Sequence, residues 1–217
     1  MVAMSFEKTS TPVLLTESVP AADQHVVFDG IGWAGYETLL ALRGEKRRPR
    51  MTYLDGAVEL MSISKQHERI RFVLGRLIEL YMLELGVRFC GYGQTTYQAV
   101  HADAGFEADE CYVLGAPRDG RPDLVLEVVW TSGGTQKLGV YRAFGVPEVW
   151  IWQRGELRAF VLEAGEYQPA ARSRLLPEID LELLAAFAER TERVDSDTLR
   201  EFQAALRTAG YGSALRS

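Results

Sequence analysis

The sequence predicts an α/β domain with a central mixed β-sheet flanked by α-helices, an extra β-hairpin and a C-terminal helix. Residues 121–130 are largely apolar and include three β-branched valines, which is typical of a strand at the centre of a sheet. Residues 64–86 carry an apolar stripe at helical spacing, which predicts the longest helix of the chain. Two-residue turn signals between shorter apolar runs predict hairpins. The chain has 217 residues, of which 47% are hydrophobic, and this suits one domain with extensions.

The elements follow from local signals along the chain. Asp55-Gly56 predicts the turn of a hairpin, Ser64 predicts the N-cap of the longest helix, and Gly86 predicts its end. A short connection favours antiparallel pairing, so we expect the strand at 106–114 to pair with the strand at 121–130. The remaining predicted elements are helices at 31–42, 135–144 and 196–208, short strands at 87–90 and 95–100, a hairpin of 148–153 with 156–162, and an irregular segment with a helix at 175–190.

The chain divides into three expected segments. Residues 1–25 lack periodicity and predict a loosely held N-terminal arm, followed by the α/β domain at 26–190. Residues 191–217 form a C-terminal helical extension. Its helix suits a lid over the domain or the contact surface of a homodimer.

Composition limits the classes of function. A formal net charge of −6 argues against a surface that coats nucleic acid broadly, although it allows a local basic patch. No apolar run approaches the length of a membrane span, so we expect no membrane partner. Cys90 and Cys111 have no CxxC spacing, which indicates a reducing compartment and no zinc cluster. We therefore expect a cytoplasmic protein.

Glu127 is the most informative residue, because an ionised group on a buried strand is costly unless it is paired or binds a metal. Asp123 shares its strand face, but four residues along a strand span roughly 13 Å, too far to share one ion. Asp109 is the better partner, because facing residues on paired strands lie about 4.5–5.5 Å apart at Cβ. Asp123 is then a rim residue, paired with Arg121. An alternative for Asp109 is an ordinary acid beside a turn.

A site that hydrolyses phosphodiesters combines such carboxylates with a divalent ion and a nearby cation. Val129 occupies the position on the strand where a lysine would share the face of Glu127. Lys137 is the only lysine after Lys65, so it is the candidate, with an exposed helix residue as the alternative.

Two further groups of residues are secondary candidates. His67 and Glu68 lie in the first turn of the longest helix, where His67 is either a hydrogen-bonding residue or a metal ligand. The run 43–50 is the most basic of the chain and predicts either a solvated loop or a loop that contacts phosphates, with Arg47, Arg48 and Arg50 as candidate nucleic-acid contacts.

Several short motifs occur together in a fixed order. They are Asp55-Gly56-Ala57-Val58-Glu59-Leu60-Met61, His67-Glu68, Gly105-Phe106-Glu107-Ala108-Asp109-Glu110, Pro122-Asp123-Leu124-Val125-Leu126-Glu127-Val128, Lys137-Leu138-Gly139-Val140-Tyr141 and Gly145-Val146-Pro147-Glu148-Val149-Trp150. In this order and spacing, residues 33–187 resemble the Uma2 family of endonuclease-like proteins, a branch of the PD-(D/E)xK restriction-endonuclease-like superfamily.

The resemblance implies a restriction-endonuclease-like core and Mg²⁺- or Mn²⁺-dependent cleavage of DNA. Asp109 and Glu127 would be the metal-binding acids, Lys137 a lysine moved from strand to helix, and Glu59 a further acid. Two residues depart from the pattern: Ala108 replaces a common proline, and Val129 replaces the strand lysine. The alternative is a non-catalytic nucleic-acid-binding or protein-interaction module that keeps the nuclease fold.

Overall fold

A computed structural model describes residues 22–130 and 137–211 of the chain. The strands in these ranges are β1 (Gln24–Phe28), β2 (Arg50–Leu54), β3 (Ala57–Ser62), β4 (Phe89–Gly91), β5 (Thr96–Ala99), β6 (Ala104–Glu107), β7 (Glu110–Leu114), β8 (Leu124–Val129), β9 (Glu148–Gln153), β10 (Glu156–Glu163) and β11 (Glu166–Ala170). The helices are α1 (Trp33–Arg43), α2 (Lys65–Glu84), α3 (Leu138–Ala143), α4 (Leu181–Ala188) and α5 (Asp195–Thr208), with a short 3-10 turn at Val100–Ala102.

These strands form two sheets. The first has the order β1-β3-β2-β6-β5 and is antiparallel throughout. The second has the order β11-β10-β9-β8-β7-β4 and is mixed, because β8 is parallel to β9 and antiparallel to β7. A mixed sheet with flanking helices confirms the predicted α/β class, and the pairing of β7 with β8 confirms the predicted antiparallel neighbours.

Strand β8 is central because both of its faces are covered, and all six of its residues are buried. Leu124, Leu126 and Val128 join the main hydrophobic core, to which α2, α4 and α5 contribute. Val125 and Val129 join a smaller core with residues of α3 and β9. Glu127 therefore projects into the smaller core, between two buried valines.

Helix α2 and the hairpin before it form as their local signals predict. Ser64 Oγ accepts a hydrogen bond from the backbone N–H of His67 at 3.2 Å, and Gly86 follows the helix with a φ of 70°. In the β2–β3 turn, Asp55 and Gly56 have φ values of 46° and 86°, the left-handed conformation that this turn requires. This geometry places His67 and Glu68 at the end of β3, in the first turn of α2.

The predicted strand at 106–114 is wrong as a single element. The chain leaves the first sheet after Glu107 and enters the second at Glu110, so Ala108 and Asp109 connect β6 to β7. β6 pairs with β2 and β5, whereas β7 pairs with β4 and β8. The predicted strand is divided because its two halves pair with different strands. No turn residue separates the halves.

The other elements agree with the predictions, with three differences. The predicted N-terminal arm ended at 25, but β1 begins at Gln24 and pairs with β3, and residues 1–21 lie outside the described ranges. β11 extends the predicted β9–β10 hairpin into a third strand. α3 begins at Leu138, and the predicted helix start near 135 lies outside the described ranges. Among the described helices, none has the length and apolar character needed to cross a membrane.

Candidate active site

Asp109 and Glu127 lie on adjacent backbone segments where the chain passes from the first sheet to the second. The register that pairs Glu110 with Leu126 brings Asp109 opposite Glu127 when it is continued by one residue. Asp109 Oδ2 also accepts a hydrogen bond from the backbone N–H of Val128 at 2.7 Å, which fixes the carboxylate beside β8. Both acids have a relative exposure of 0%.

Two cationic side chains bind Asp109. The Arg50 guanidinium, at the start of β2, donates through Nη1 to Asp109 Oδ1. His67 Nε2 lies 2.9 Å from the same oxygen, and His67 Nδ1 lies 2.8 Å from Asp23 Oδ2. The imidazole is therefore held between two carboxylates. Burial alone would lower the pKa of His67, but Asp109 and then Asp23 raise it to about 9, so the ring is protonated at neutral pH.

Glu127 has a different set of partners. Lys137 Nζ lies 2.8 Å from Glu127 Oε2, and the Tyr141 hydroxyl donates to Glu127 Oε1. Lys137 immediately precedes α3 and Tyr141 lies four residues later, so one face of this short helix supplies both groups. Lys137 is itself buried, with a relative exposure of 8%. These contacts place Lys137, the lysine that the sequence analysis selected, in direct contact with Glu127.

The pKa values of the two acids shift in opposite directions. Burial would raise the pKa of Asp109, but the charges of Arg50 and His67 hold it well below its usual value. Burial raises the pKa of Glu127, and the neighbouring charge of Asp109 raises it further against the opposing effect of Lys137. Burial would lower the pKa of Lys137, but Glu127 and Asp109 keep it above its usual value. Lys137 is therefore protonated, and the charges of both carboxylates stabilise its ammonium group.

The other predicted acids lie around this pair. Glu59 Oε1 is 2.7 Å from His25 Nδ1, and its charge also acts on Lys137. Glu68 accepts hydrogen bonds from Arg71 at 2.7 and 3.2 Å and lies 3.8 Å from Arg50 Nη2.

Asp123 lies at the rim, on the chain segment before β8. Its Oδ1 accepts from Arg118 at 2.5 Å and its Oδ2 from the backbone N–H of Leu114 at 2.8 Å. The predicted Arg121 partner is 4.0 Å away, so Arg118 is the main ion-pair partner of Asp123.

The basic run is only partly a solvated loop. Arg43 ends α1, Arg47 and Arg48 are exposed in the loop, and Arg50 is buried in β2 with a relative exposure of 3%. The position of Arg50 corrects the prediction of a loop over the whole run. The side chain belongs to β2, and the buried Asp109 offsets its charge.

Sequence reasoning missed Arg50, Tyr141 and Asp23 as contacts of the site. The spacing of Lys137 and Tyr141 was a usable signal for Tyr141, because residues four apart share a helix face. The signal for Arg50 was weaker, because the first strand of the predicted hairpin starts one residue later, at Met51. Asp23 gave none, because it lies in a stretch without periodicity.

The donor set suits a hard divalent cation in its chemistry, since Glu127 on β8 and Asp109 directly before β7 offer carboxylate oxygens at facing positions. Each of these oxygens already has a partner, so a cation would bind by exchange with the Arg50 and His67 contacts of Asp109 and the Lys137 contact of Glu127. Over the described ranges, no three His, Cys, Asp or Glu side chains are arranged as a ready metal site.

A mixed sheet flanked by helices, with one buried acid on β8, a second directly before the neighbouring strand β7 and a lysine directly before the next helix, is a restriction-endonuclease-like domain. The family model named Uma2, described as "Putative restriction endonuclease", matches residues 33–192. The chain belongs to the Uma2 family, as the sequence motifs predicted. A search of curated proteins found no match.

Proposed function

We propose that the protein is a metal-dependent endonuclease that hydrolyses phosphodiester bonds in DNA. One observation carries the proposal: two fully buried carboxylates at facing positions, Glu127 on β8 and Asp109 directly before β7, share a site with a buried lysine whose Nζ is 2.8 Å from Glu127 Oε2. A purely structural core has little reason to retain three such groups, because apolar residues of similar volume are often at least as stable. Membership of a family described by its endonuclease-like character supports the same function.

In this mechanism Asp109 and Glu127 hold Mg²⁺ or Mn²⁺, with Glu59 as a further acid nearby. The ion, when bound, makes a water molecule more acidic and stabilises the charge that develops on the phosphate. Lys137 orients the attacking water and faces the developing negative charge. Tyr141 holds Glu127 in place through its hydroxyl, so that the carboxylate keeps one orientation. Because these groups are buried, little solvent screens their charges.

A second function has its own supporting observation. All four carboxylate oxygens of Asp109 and Glu127 have protein partners, which is the arrangement of a closed ion-pair network. A non-catalytic nucleic-acid-binding or protein-interaction module on a nuclease fold would keep such a network intact. Titration with Mn²⁺ separates the two functions, since only the nuclease exchanges these contacts for a metal ion.

The decisive experiment removes the lysine and leaves the acids. We expect Lys137→Met to retain Mn²⁺ binding and to lower the rate of DNA cleavage by about 10²-fold, because it removes one electrostatic contact to the transition state. Cleavage of plasmid and single-stranded DNA in Mn²⁺ measures the rate, and calorimetric titration measures metal binding.

Lys65→Met is the matched control, because Lys65 is an exposed lysine at the start of α2. It should cleave DNA at the wild-type rate, whereas Glu127→Gln should lose both metal binding and cleavage. Equal rates for wild type and Lys137→Met would remove Lys137 from the mechanism. Absence of both Mn²⁺ binding and cleavage in the wild type would favour the non-catalytic module.

A further inference from the structure

A basic cavity lies beside the site, between the loop that follows α1 and the strands β5 and β6. Its volume is about 240 Å³. The basic and polar residues that line it are Arg43, Lys46, Arg47, Arg50, Gln94 and Thr96. Glu45 and Glu107 also line it, so basic groups outnumber acidic ones by four to two.

The charge of Glu107 is already neutralised inside the protein. Arg43 donates through both of its terminal nitrogens to the Glu107 carboxylate, each at 2.6 Å. The Thr96 hydroxyl and the backbone N–H of Met51 donate to the same carboxylate at 2.5 and 3.1 Å. The positive charges left to act on a bound group are those of Lys46 and Arg47, since Asp109 offsets the charge of Arg50.

Arg50 connects this cavity to the acids of the site. Its Nη1 donates to Asp109, whereas its buried Nη2 has no hydrogen-bond partner among the described residues. Glu68 Oε2 lies 3.8 Å from Nη2, beyond hydrogen-bond distance. A buried guanidinium N–H without an acceptor is costly, so an acceptor supplied by a ligand would bring a clear gain.

We propose that the cavity binds a backbone phosphate of a DNA strand, and that Arg50 is shared between this phosphate and Asp109. This inference rests on the proposed function, since it assigns the substrate contact next to the proposed cleavage site. A phosphate suits the cavity because guanidinium and ammonium groups bind it from several sides, and the amide of Gln94 adds a neutral donor.

Sharing of Arg50 gives the site a way to respond to substrate. A phosphate that engages Arg50 weakens its pairing with Asp109, and the Asp109 carboxylate becomes more available to a divalent ion. DNA and metal then bind cooperatively, because each favours the state in which Arg50 faces the cavity. Arg50 is therefore a positioning residue for Asp109 and a binding residue for the strand.

The test measures binding of a short fluorescein-labelled thymidine oligonucleotide to the full chain in EDTA, by fluorescence anisotropy. Without divalent ions cleavage cannot contribute, so the result is independent of whether the protein is a nuclease. We expect Lys46→Gln/Arg47→Gln to weaken binding by about 10-fold. We also expect it to reduce the slope of log K against log salt concentration by the equivalent of about one to two phosphate contacts. Gln94→Ala should weaken binding by about 3-fold, because it removes one neutral hydrogen bond.

Arg158→Gln/Arg200→Gln is the matched control, since it removes two exposed positive charges away from the cavity. It should bind as tightly as the wild type. Equal weakening in the two double variants, or a wild type that does not bind the oligonucleotide, would overturn the proposal. Competition with inorganic phosphate identifies the source of the ligand: binding of inorganic phosphate without binding of DNA would overturn the assignment to a nucleic-acid backbone.

The amide signal of Val128 tests the sharing of Arg50, because its N–H donates to Asp109 Oδ2. We expect the oligonucleotide to shift this signal in the wild type and in the control, and to shift it less in Lys46→Gln/Arg47→Gln at a ligand concentration that half-saturates the wild type. An unshifted Val128 amide in a wild type saturated with DNA would show that Arg50 is not shared.

Discussion

Asp109, directly before β7, and Glu127, on β8, occupy facing positions and are equally buried, yet their electrostatic environments differ. Asp109 contacts two cations and a backbone N–H, and its pKa lies well below the usual value. Glu127 contacts one cation and one phenol, and its pKa lies above the usual value. The number of compensating cations, rather than the depth of burial, therefore decides how firmly each carboxylate holds its charge.

The difference assigns different tasks to the two acids. We infer that Asp109 stabilises the metal-free protein, because its ion pairs with β2 and α2 and its hydrogen bond from the backbone of β8 join these elements across the junction of the two sheets. Glu127 is under-compensated, so a divalent ion brings it more stabilisation than it brings Asp109. We expect the metal-free protein to depend on the first acid and metal binding to depend more on the second.

The largest expected effect is on the stability of charge-neutralised variants. Asp109→Asn leaves Arg50 and protonated His67 without their carboxylate, and we expect it to lower the free energy of unfolding by about 3–5 kcal/mol. Glu127→Gln leaves one buried cation, Lys137, without its contacting carboxylate instead of two, so we expect a smaller loss of about 1–3 kcal/mol. Urea unfolding in EDTA, followed by circular dichroism, measures both values. Equal losses for the two variants would refute the division of tasks.

The next effect concerns pH and acts on the Asp109 side alone. The pKa of His67 is raised from 6.5 to about 9 in the folded protein, so its contribution to stability is fully present below about pH 6.5. That contribution is lost as the pH rises through about 9 and amounts to roughly 3 kcal/mol at most. His67→Gln should therefore flatten the fall in stability over this range.

Unfolding free energies measured across this pH range, for wild type and His67→Gln, give the contribution as a difference. His101→Gln is the control, since His101 is exposed and lies outside the site. It should show the wild-type profile. A His67→Gln profile parallel to that of the wild type would mean that the imidazole is not charged between Asp23 and Asp109.

The smallest effect sharpens the Glu127 side. Tyr141→Phe removes the hydroxyl that donates to Glu127, and it should cost about 1 kcal/mol of stability. It should also raise the pKa of Glu127 further and leave the pKa of Asp109 unchanged, because the phenol donates its hydrogen bond to Glu127. Carbon-detected NMR titration of the side-chain carboxyls measures both values.

Tyr167→Phe provides the comparison for this variant, since the Tyr167 hydroxyl donates to the backbone oxygen of Val146 at 2.7 Å. It removes a similar hydrogen bond without a contact to Glu127. A shift of the Glu127 pKa of equal size in both variants would indicate a general change in packing.

Local signals predicted the parts of the fold that depend on neighbours in sequence. The Ser64 cap, the Asp55-Gly56 turn and the apolar stripe of α2 each act within a few residues, and each formed as expected. The pairing of β7 with β8 also followed, because a short connection leaves few alternatives. That pairing brought Asp109 opposite Glu127.

Features that depend on distant partners were not predictable in the same way. Residues 106–114 contain no Gly or Pro, so the change of sheet at Ala108 left no turn signal in the sequence. Arg50 follows a basic loop in the sequence, and its burial depends on a carboxylate 59 residues away. The catalytic roles of Asp109, Glu127 and Lys137 stay predictions, although their positions agree with them.

The crossing of the chain between the two sheets has a consequence for how the protein folds. The contacts of Asp109 join it to residues 59, 42 and 19 positions away, so each closes a long loop at an entropic cost. Neither sheet alone provides all of these partners, and charges buried without them would be strongly unfavourable. We expect the charge network to form after the folding transition state, so that Asp109→Asn accelerates unfolding and hardly changes the rate of refolding.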